Sequence, residues 1–218
     1  MELIHGNIEK AIINSQHCQR NWDLSREIPQ EDLDLLITAV TQCPSKQNIA
    51  HYKVHAITNR EIIEAIHNKT NGFTVNPTTN ESTTNTQVLA NLLIVFEELQ
   101  ADHNNPEVKR RNAQLLNLTK GRWDWDTMST VRRDLNMSVG VATGYLNMTA
   151  NLLGYSTGCC ACFDDLAIKE ILGLKKEPIL LIGIGFKDNN LDYRVHHNDH
   201  TFVYTSMAKQ QIEVKRWA

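Results

Sequence analysis

At 218 residues, 41% of them hydrophobic, the chain is long enough for one sizeable core and awkward for two. Its formal net charge of −3 gives no bulk electrostatic reason to expect nucleic acid or an acidic membrane as partner. The first residues carry no basic, apolar leader, and five cysteines, an odd number with three of them crowded at Cys159, Cys160 and Cys162, make no ordinary disulfide framework, so a cytoplasmic protein with reduced thiols is expected.

In chain order, residues 4–13 form an amphipathic helix with Ile4, Ile8, Ala11 and Ile12 as its apolar stripe. A polar segment, Gln16-His-Cys-Gln-Arg-Asn-Trp22, follows. Pro29 then opens a second helix over 30–42, with Leu33, Leu36, Ile37 and Val40 on its buried face. Residues 43–48 are a loop, and the alternation over 51–57 predicts a half-buried strand. Asn59 is placed to cap a third helix through residue 67. Residues 68–86, rich in Thr and Asn, are loop. The apolar run over 88–96 predicts a central strand. Residues 102–128 form a charged excursion, with a helix over 106–118 and the pair Trp123 and Trp125.

From Asp134 onward a long helix is expected, ending at Gly154. Met137, Val141, Tyr145, Met148 and Leu152 recur on one face, which predicts a buried helix. Gly140, Ala142, Gly144 and Ala150 leave other faces small enough for close packing. Residues 155–163 are small, polarisable and β-compatible, and Asp164 and Asp165 suit the start of another helix. A second buried strand runs over 179–186, and the tail from Asp188 has no strong pattern. No repeat or composition break divides the chain, so one α+β domain over 1–218 is expected.

Polar clusters lie at the ends of these elements. If the first is extended, Gln16, Cys18 and Arg20 share a side and can converge on an anion, Arg20 by a forked charge-assisted contact. Pro44-Ser45-Lys46-Gln47-Asn48 is a donor-rich turn. Asn85 and Gln87 offer amide donors and acceptors of the kind a heterocycle edge requires. Each cluster taken singly is also ordinary turn or cap chemistry.

Their order and spacing resemble the nitroreductase family: the basic-polar segment ending in Trp22, Pro44-Ser45-x-x-Asn48, Asn85-x-Gln87, the long helix ending Leu153-Gly154, and Leu172-Gly173-Leu174 before Gly183-Ile184-Gly185-Phe186. The resemblance covers nearly the whole chain. It implies an α+β nitroreductase-like fold, a mostly antiparallel central sheet flanked by helices, and a homodimer holding FMN at the subunit interface beside the long central helix. It assigns Gln16, Cys18 and Arg20 to the flavin phosphate and ribityl chain, and Pro44, Ser45, Lys46 and Asn48 to the flavin and its tail. Asn85 and Gln87 go to the pyrimidine edge, and the backbone of Cys159, Cys160, Ala161 and Cys162 to the ring near N5. Arg194 with His196 or His197 would complete the phosphate site. Where family members commonly carry Arg and Ser, this chain has Gln16 and Cys18, which lowers the positive charge at the phosphate.

The resemblance implies that NADH or NADPH delivers hydride to flavin N5 and that a small aromatic acceptor, a nitroaromatic or quinone, then takes the electrons in ping-pong fashion. No side-chain acid or base is required, and Trp123 and Trp125 would wall the substrate pocket. Two other readings stand beside it. One is a flavin-binding or partner-binding protein of the same fold without reductase activity. The other is a metal or thiol-redox protein built on Cys159, Cys160 and Cys162 with His196, His197 and His200, although C-C-x-C is not a usual zinc spacing.

Overall fold

The computed structural model describes residues 2–72, 75, 80, 83–99, 106, 109, 110, 113, 125–196, 203, 209 and 211–217. Its regular elements are α1 (Glu2–Asn14), α2 (Gln30–Thr41), β1 (Tyr52–Ile57), α3 (Arg60–His67), β2 (Leu92–Glu98), α4 (Trp125–Leu152), β3 (Ser156–Cys160), α5 (Asp165–Leu172) and β4 (Pro178–Gly185). The four strands form one antiparallel sheet in the order β1-β2-β4-β3.

Strand β2 holds two cores apart. Its side chains alternate, so Leu92, Ile94 and Phe96 join Leu36 and Val40 of α2 and Leu135, Val139, Ala142 and Leu146 of α4 on one face. Leu93 and Val95 meet Ile63 and Ile66 of α3 and Ile168 of α5 on the other. A strand buried on both faces reads as a continuous apolar run, which is why periodicity alone finds it but not its start. The strand begins at Leu92, later than expected, because Thr86–Val88 is instead a 3₁₀ turn.

Local signals fix several element ends. The Asn59 side chain accepts from Ile62 N–H at 3.0 Å, and Asp164 accepts from Ala167 N–H at 3.0 Å, so both predicted caps form. Gly154 takes a left-handed φ of 88° after Leu152, as a helix-ending glycine does. Of the expected helix over 106–118, Pro106, Lys109, Arg110 and Ala113 are helical, and the rest lies outside the described residues.

Two expectations are corrected. The long helix begins at Trp125, and the face it buries is Leu135, Val139, Ala142, Leu146 and Ala150. Met137, Val141, Tyr145 and Leu152 are 40–59% exposed within the chain, and nothing lies within 4 Å of a Cβ built at Gly140 or Gly144. A 28-residue helix carries two apolar stripes, and a single sheet face can cover only one of them. Likewise α1 buries Ala11 but leaves Ile4, Ile8 and Ile12 exposed.

At the far end of β2, Glu97 is 2% exposed. Its Oε1 accepts from the backbone N–H of Lys175 and of Lys176, each at 2.9 Å, and its Oε2 lies 2.9 Å from His55 Nε2. Burial pushes this carboxyl's pKa up, but the Lys176 N–H, the His55 ring and the Lys175 N–H together hold it below its usual value. The folded pKa is thus under the unfolded one, so the stabilisation is present above the unfolded value and disappears as pH falls through the folded one. Glu97→Ala is expected to cost about 3 kcal/mol in urea unfolding at neutral pH. The gap from wild type should narrow as pH falls through the lowered pKa of the folded carboxyl, where the wild-type carboxylate protonates.

Candidate functional site at the free edge of the sheet

Strand β3 lies at the sheet edge, and an edge strand leaves one row of backbone polar groups without a strand partner. The segment after α1 takes up that row. Gln19 N–H donates to the Thr157 carbonyl at 2.9 Å, and the Cys18 thiol faces the Cys159 carbonyl at 3.8 Å. Gln87, from the 3₁₀ turn, donates through Nε2 to the same Cys159 carbonyl at 3.3 Å. Three absent side chains permit this approach. A Cβ on Gly158 would stand 2.6 Å from Gln87 Cβ and 2.7 Å from the Gln19 carbonyl. One on Gly183 would fall on the Gln87 carbonyl, and one on Gly185 on the Asn91 side-chain oxygen.

The N-terminal segment is shaped by its own amides. Gln19 Oε1 accepts from the N–H of Arg20 at 2.8 Å and of Asn21 at 3.0 Å. Asn21, fully buried, donates through Nδ2 to the carbonyls of Asp192 at 2.6 Å and Val195 at 2.7 Å. It thereby ties the stretch bearing Arg194 and His196 to the segment bearing Arg20. Arg20 Nη1 donates to the Cys18 carbonyl at 3.1 Å, and Arg194 Nε pairs with Asp192 at 3.1 Å. Gln16 lies outside the extended segment that carries Cys18 and Arg20. Gln16 and His17 N–H continue the α1 turns, to Ile13 and Asn14, so the extended segment starts only at Cys18 and Gln16 is exposed.

Asn85 is held by the fold. Its Nδ2 donates to the carbonyls of Asn71 at 3.1 Å and Cys162 at 3.0 Å, and its N–H to Thr70 Oγ1 at 2.8 Å. Gln87 differs: its Oε1 is buried without a hydrogen-bond partner. Cys159 and Cys160 belong to opposite cores, so their thiols leave β3 on opposite faces. Burial foremost, with Cys18 nearby, pushes the Cys159 thiol up to about 11, while the Asn147 amide moderates the rise. Burial likewise brings Cys160 to about 11. Both remain thiols at neutral pH, poor nucleophiles and poor metal ligands. Ala161 is exposed and Cys162 half-buried.

The Pro44–Asn48 turn stands elsewhere. Ser45 Oγ accepts from Ala50 N–H at 2.9 Å and so braces a turn in which Asn48 and Ala50 take left-handed φ of 58° and 54°. Lys46 Nζ lies 3.1 and 3.2 Å from the two oxygens of Asp134, a buried carboxylate on α4. The turn leads into β1, whereas the cysteine segment leaves β3 at the opposite edge of the sheet. Three interstrand spacings of about 4.8 Å separate these edges, so one chain does not bring the turn to Cys159. Trp123 and His197 lie outside the described residues. Trp125 opens α4, but its side chain is not among the described parts.

The sequence matches the family model described as Nitroreductase family over residues 13–186. The fold is similar to that of a nitroreductase-like protein from Streptococcus mutans, at 14% identity and TM-score 0.65, covering 99% of this chain and 100% of that one. It is similar to a candidate NAD(P)H:FMN oxidoreductase from Staphylococcus epidermidis, at 22% identity and TM-score 0.63, covering 85% and 89%. An FMN complex of a candidate nitroreductase from Exiguobacterium sibiricum follows at 18% and 0.62, covering 91% of each chain. At these identities the structures establish the shared fold. Comparison with curated proteins gave no match.

Because Gly158 faces backbone and Cβ atoms rather than a flexible side-chain end, Gly158→Ala should cost about 1–3 kcal/mol in thermal or urea unfolding.

Proposed function

Because the chain belongs to the nitroreductase family, we propose that it is an FMN-dependent oxidoreductase that accepts electrons from NADH or NADPH and passes them to a small aromatic acceptor such as a nitroaromatic or quinone. The observation that carries this reading is Gln87. Its amide nitrogen is pinned to Cys159, while its buried oxygen has no donor, which suits the ring N–H of a flavin pyrimidine. The neighbours support it as well: FMN is bound in the Exiguobacterium sibiricum protein.

Bound FMN would supply the hydride chemistry. The chain's own part is binding and orientation. Gln87 would fix the pyrimidine edge through its free acceptor. Asn85 would act one step back, by holding the Cys162 carbonyl and hence the backbone of Cys159, Cys160, Ala161 and Cys162 beside the ring. Arg20, with Arg194 and His196 or His197 from the stretch that Asn21 ties down, would meet the phosphate; Cys18 lies beside them and Gln16 at the solvent side. The arginine that family members commonly carry at this position is replaced here by Gln16, a neutral, exposed amide, so phosphate binding would rest on Arg20 and the tail. Trp123 and Trp125 would wall the acceptor pocket.

A homodimer completes the site. The outer face of α4 offers Met137, Val141 and Tyr145 around a concavity of about 480 Å³ lined by Gly140, Val141, Gly144, Tyr145, Met148 and Thr149. Exposed apolar surface of this kind is usually covered by a partner. Pairing of two copies there would let the Pro44, Ser45, Lys46 and Asn48 turn of one copy approach the Cys159 edge of the other, which it does not reach within its own chain. No helix among the described residues is long and apolar enough to cross a membrane.

Purified protein is expected to show flavin bands near about 370 and 450 nm, to release FMN on heating, and to bleach with NADH or NADPH under anaerobic conditions. A protein that takes up no FMN sinks the proposal; one that binds FMN but does not bleach with either nicotinamide is a flavin-binding relative without reductase activity. Val141→Glu, which places a charge on the outer face of α4, is expected to sediment as a monomer and to bind FMN at least tenfold more weakly, a loss of about 1.4 kcal/mol or more.

A further inference from the structure

The 3₁₀ turn that carries Gln87 is held on either side of that residue by side chains from other elements. At its start, Trp22 Nε1 donates to the Thr86 carbonyl at 3.0 Å. Just past its end, Arg60 Nη1 donates to the Leu89 carbonyl at 2.9 Å and to the Ala90 carbonyl at 3.2 Å. Leu89 and Ala90 are buried and precede β2, which begins at Leu92. Buried carbonyls need donors, and Arg60 supplies one to both.

Arg60 stands where its own helix gives little reason for a cation. It is the first residue of α3, directly after the Asn59 cap, and the positive end of a helix dipole disfavours positive charge there. Its Nε lies 3.1 Å from Glu64 Oε1, but Arg ahead of Glu at this spacing is the weaker order for a helix pair. The side chain is 32% exposed, burial pushes its pKa down while Glu64 opposes the shift, and Nη2 is buried without a hydrogen-bond partner. An arginine so placed does little for α3. What it does is bridge two carbonyls that belong to the turn.

Packing against Gly158 and Gly183 sets how closely Gln87 approaches the sheet, but contact with bare backbone sets no position along it. The side-chain bond from Gln87 Nε2 to the Cys159 carbonyl, at 3.3 Å, is too long to hold the turn by itself. Trp22 and Arg60, one on each side, set that position. We propose that Arg60 is a positioning residue for flavin binding: from α3 it bridges the Leu89 and Ala90 carbonyls and so keeps the Gln87 amide oxygen where the pyrimidine N–H arrives. This rests on the flavin reading above and adds to it a residue that acts through Gln87. A structural arginine and a positioning one differ in how they combine with Gln87. Independent losses multiply in a dissociation constant, whereas losses along one path do not.

The test is FMN titration and thermal melting of apoprotein for wild type, Arg60→Met, Arg60→Lys, Gln87→Leu and the double variant Arg60→Met with Gln87→Leu. Arg60→Met is expected to weaken FMN binding by about three- to tenfold and no more than Gln87→Leu does, since the most it can remove is the one neutral hydrogen bond that Gln87 makes. The double variant should bind FMN within about twofold of Gln87→Leu alone. Both single variants should change the visible absorbance of bound FMN in the same direction, which lost stability by itself does not do. Arg60→Lys, whose ammonium can still donate to the two carbonyls, should bind FMN more tightly than Arg60→Met. Arg60→Gln answers the same question should the methionine variant not fold. Wild-type FMN affinity in the folded Arg60 variants, whatever their melting temperature, or a double variant whose loss is the product of the single losses, overturns the inference and leaves the flavin reading standing. Wild-type affinity in Gln87→Leu removes Gln87 from the site and the inference with it. Failure of wild type to take up FMN overturns the flavin reading itself.

Discussion

The fold of the site depends on a contact between backbones. The turn carrying Gln87 and Asn91 presses onto β3 and β4 at distances that no Cβ would allow, and Gly158, Gly183 and Gly185 are the three residues that make room. Once pressed there, the turn distributes its amides in both directions. Gln87 reaches the Cys159 carbonyl, and Asn91 gathers the carbonyls of Asp23 and Arg26 while accepting from Phe186 N–H. Trp22 Nε1 holds the turn from beneath, on the Thr86 carbonyl. The N-terminal segment, the central turn and the edge strand are thus joined mainly by backbone groups and neutral amides, whose geometry depends little on salt or pH.

Around that joint the two cores do different work. The core under α3 and α5 is closed within one chain. The core under α2 and α4 is closed on its inner side only, since α4 is apolar on its outer face too. Among the described residues two carboxylates are buried, and each is answered locally: Glu97 by two backbone N–H groups and His55, and Asp134 by Lys46. Answering a buried carboxylate with backbone N–H groups stabilises its charged form without burying a second charge, which avoids much of the desolvation cost of an ion pair.

Signals acting over three or four residues were legible from the chain alone. Asn59 and Asp164 cap their helices, Gly154 ends α4, and the four strands fall in the expected parts of the chain. The antiparallel fold and the spacing of Asn85, Gln87 and Gly183–Gly185 followed from the family resemblance rather than from periodicity. What stayed hidden involves partners far away in sequence. Nothing local marks Asn21, Asn91 or Asn147 as different from other asparagines, because their partners are carbonyls, N–H groups or a sulfur brought near by folding. Gln16 was misplaced because alternation presumes an extended backbone, and the last turns of α1 run on past Asn14. The choice between the two apolar stripes of α4 was undetermined, since a period of 3.6 states that a stripe exists and not what covers it.

The position of α4 has a consequence for how the molecule is made. The helix that closes the larger core is also one whose outer face is left open, so the element that seals the sheet also carries uncovered apolar surface. Anything that stabilises α4 from outside also seals the core from outside. Pairing of two copies on that face, as proposed, would bring mass action into folding: a chain at nanomolar concentration and one at micromolar concentration would then differ in melting temperature, though they share every internal contact. If two copies pair there as proposed, a newly made chain would pass through an interval, before a second is released, in which the outer face of α4 is bare.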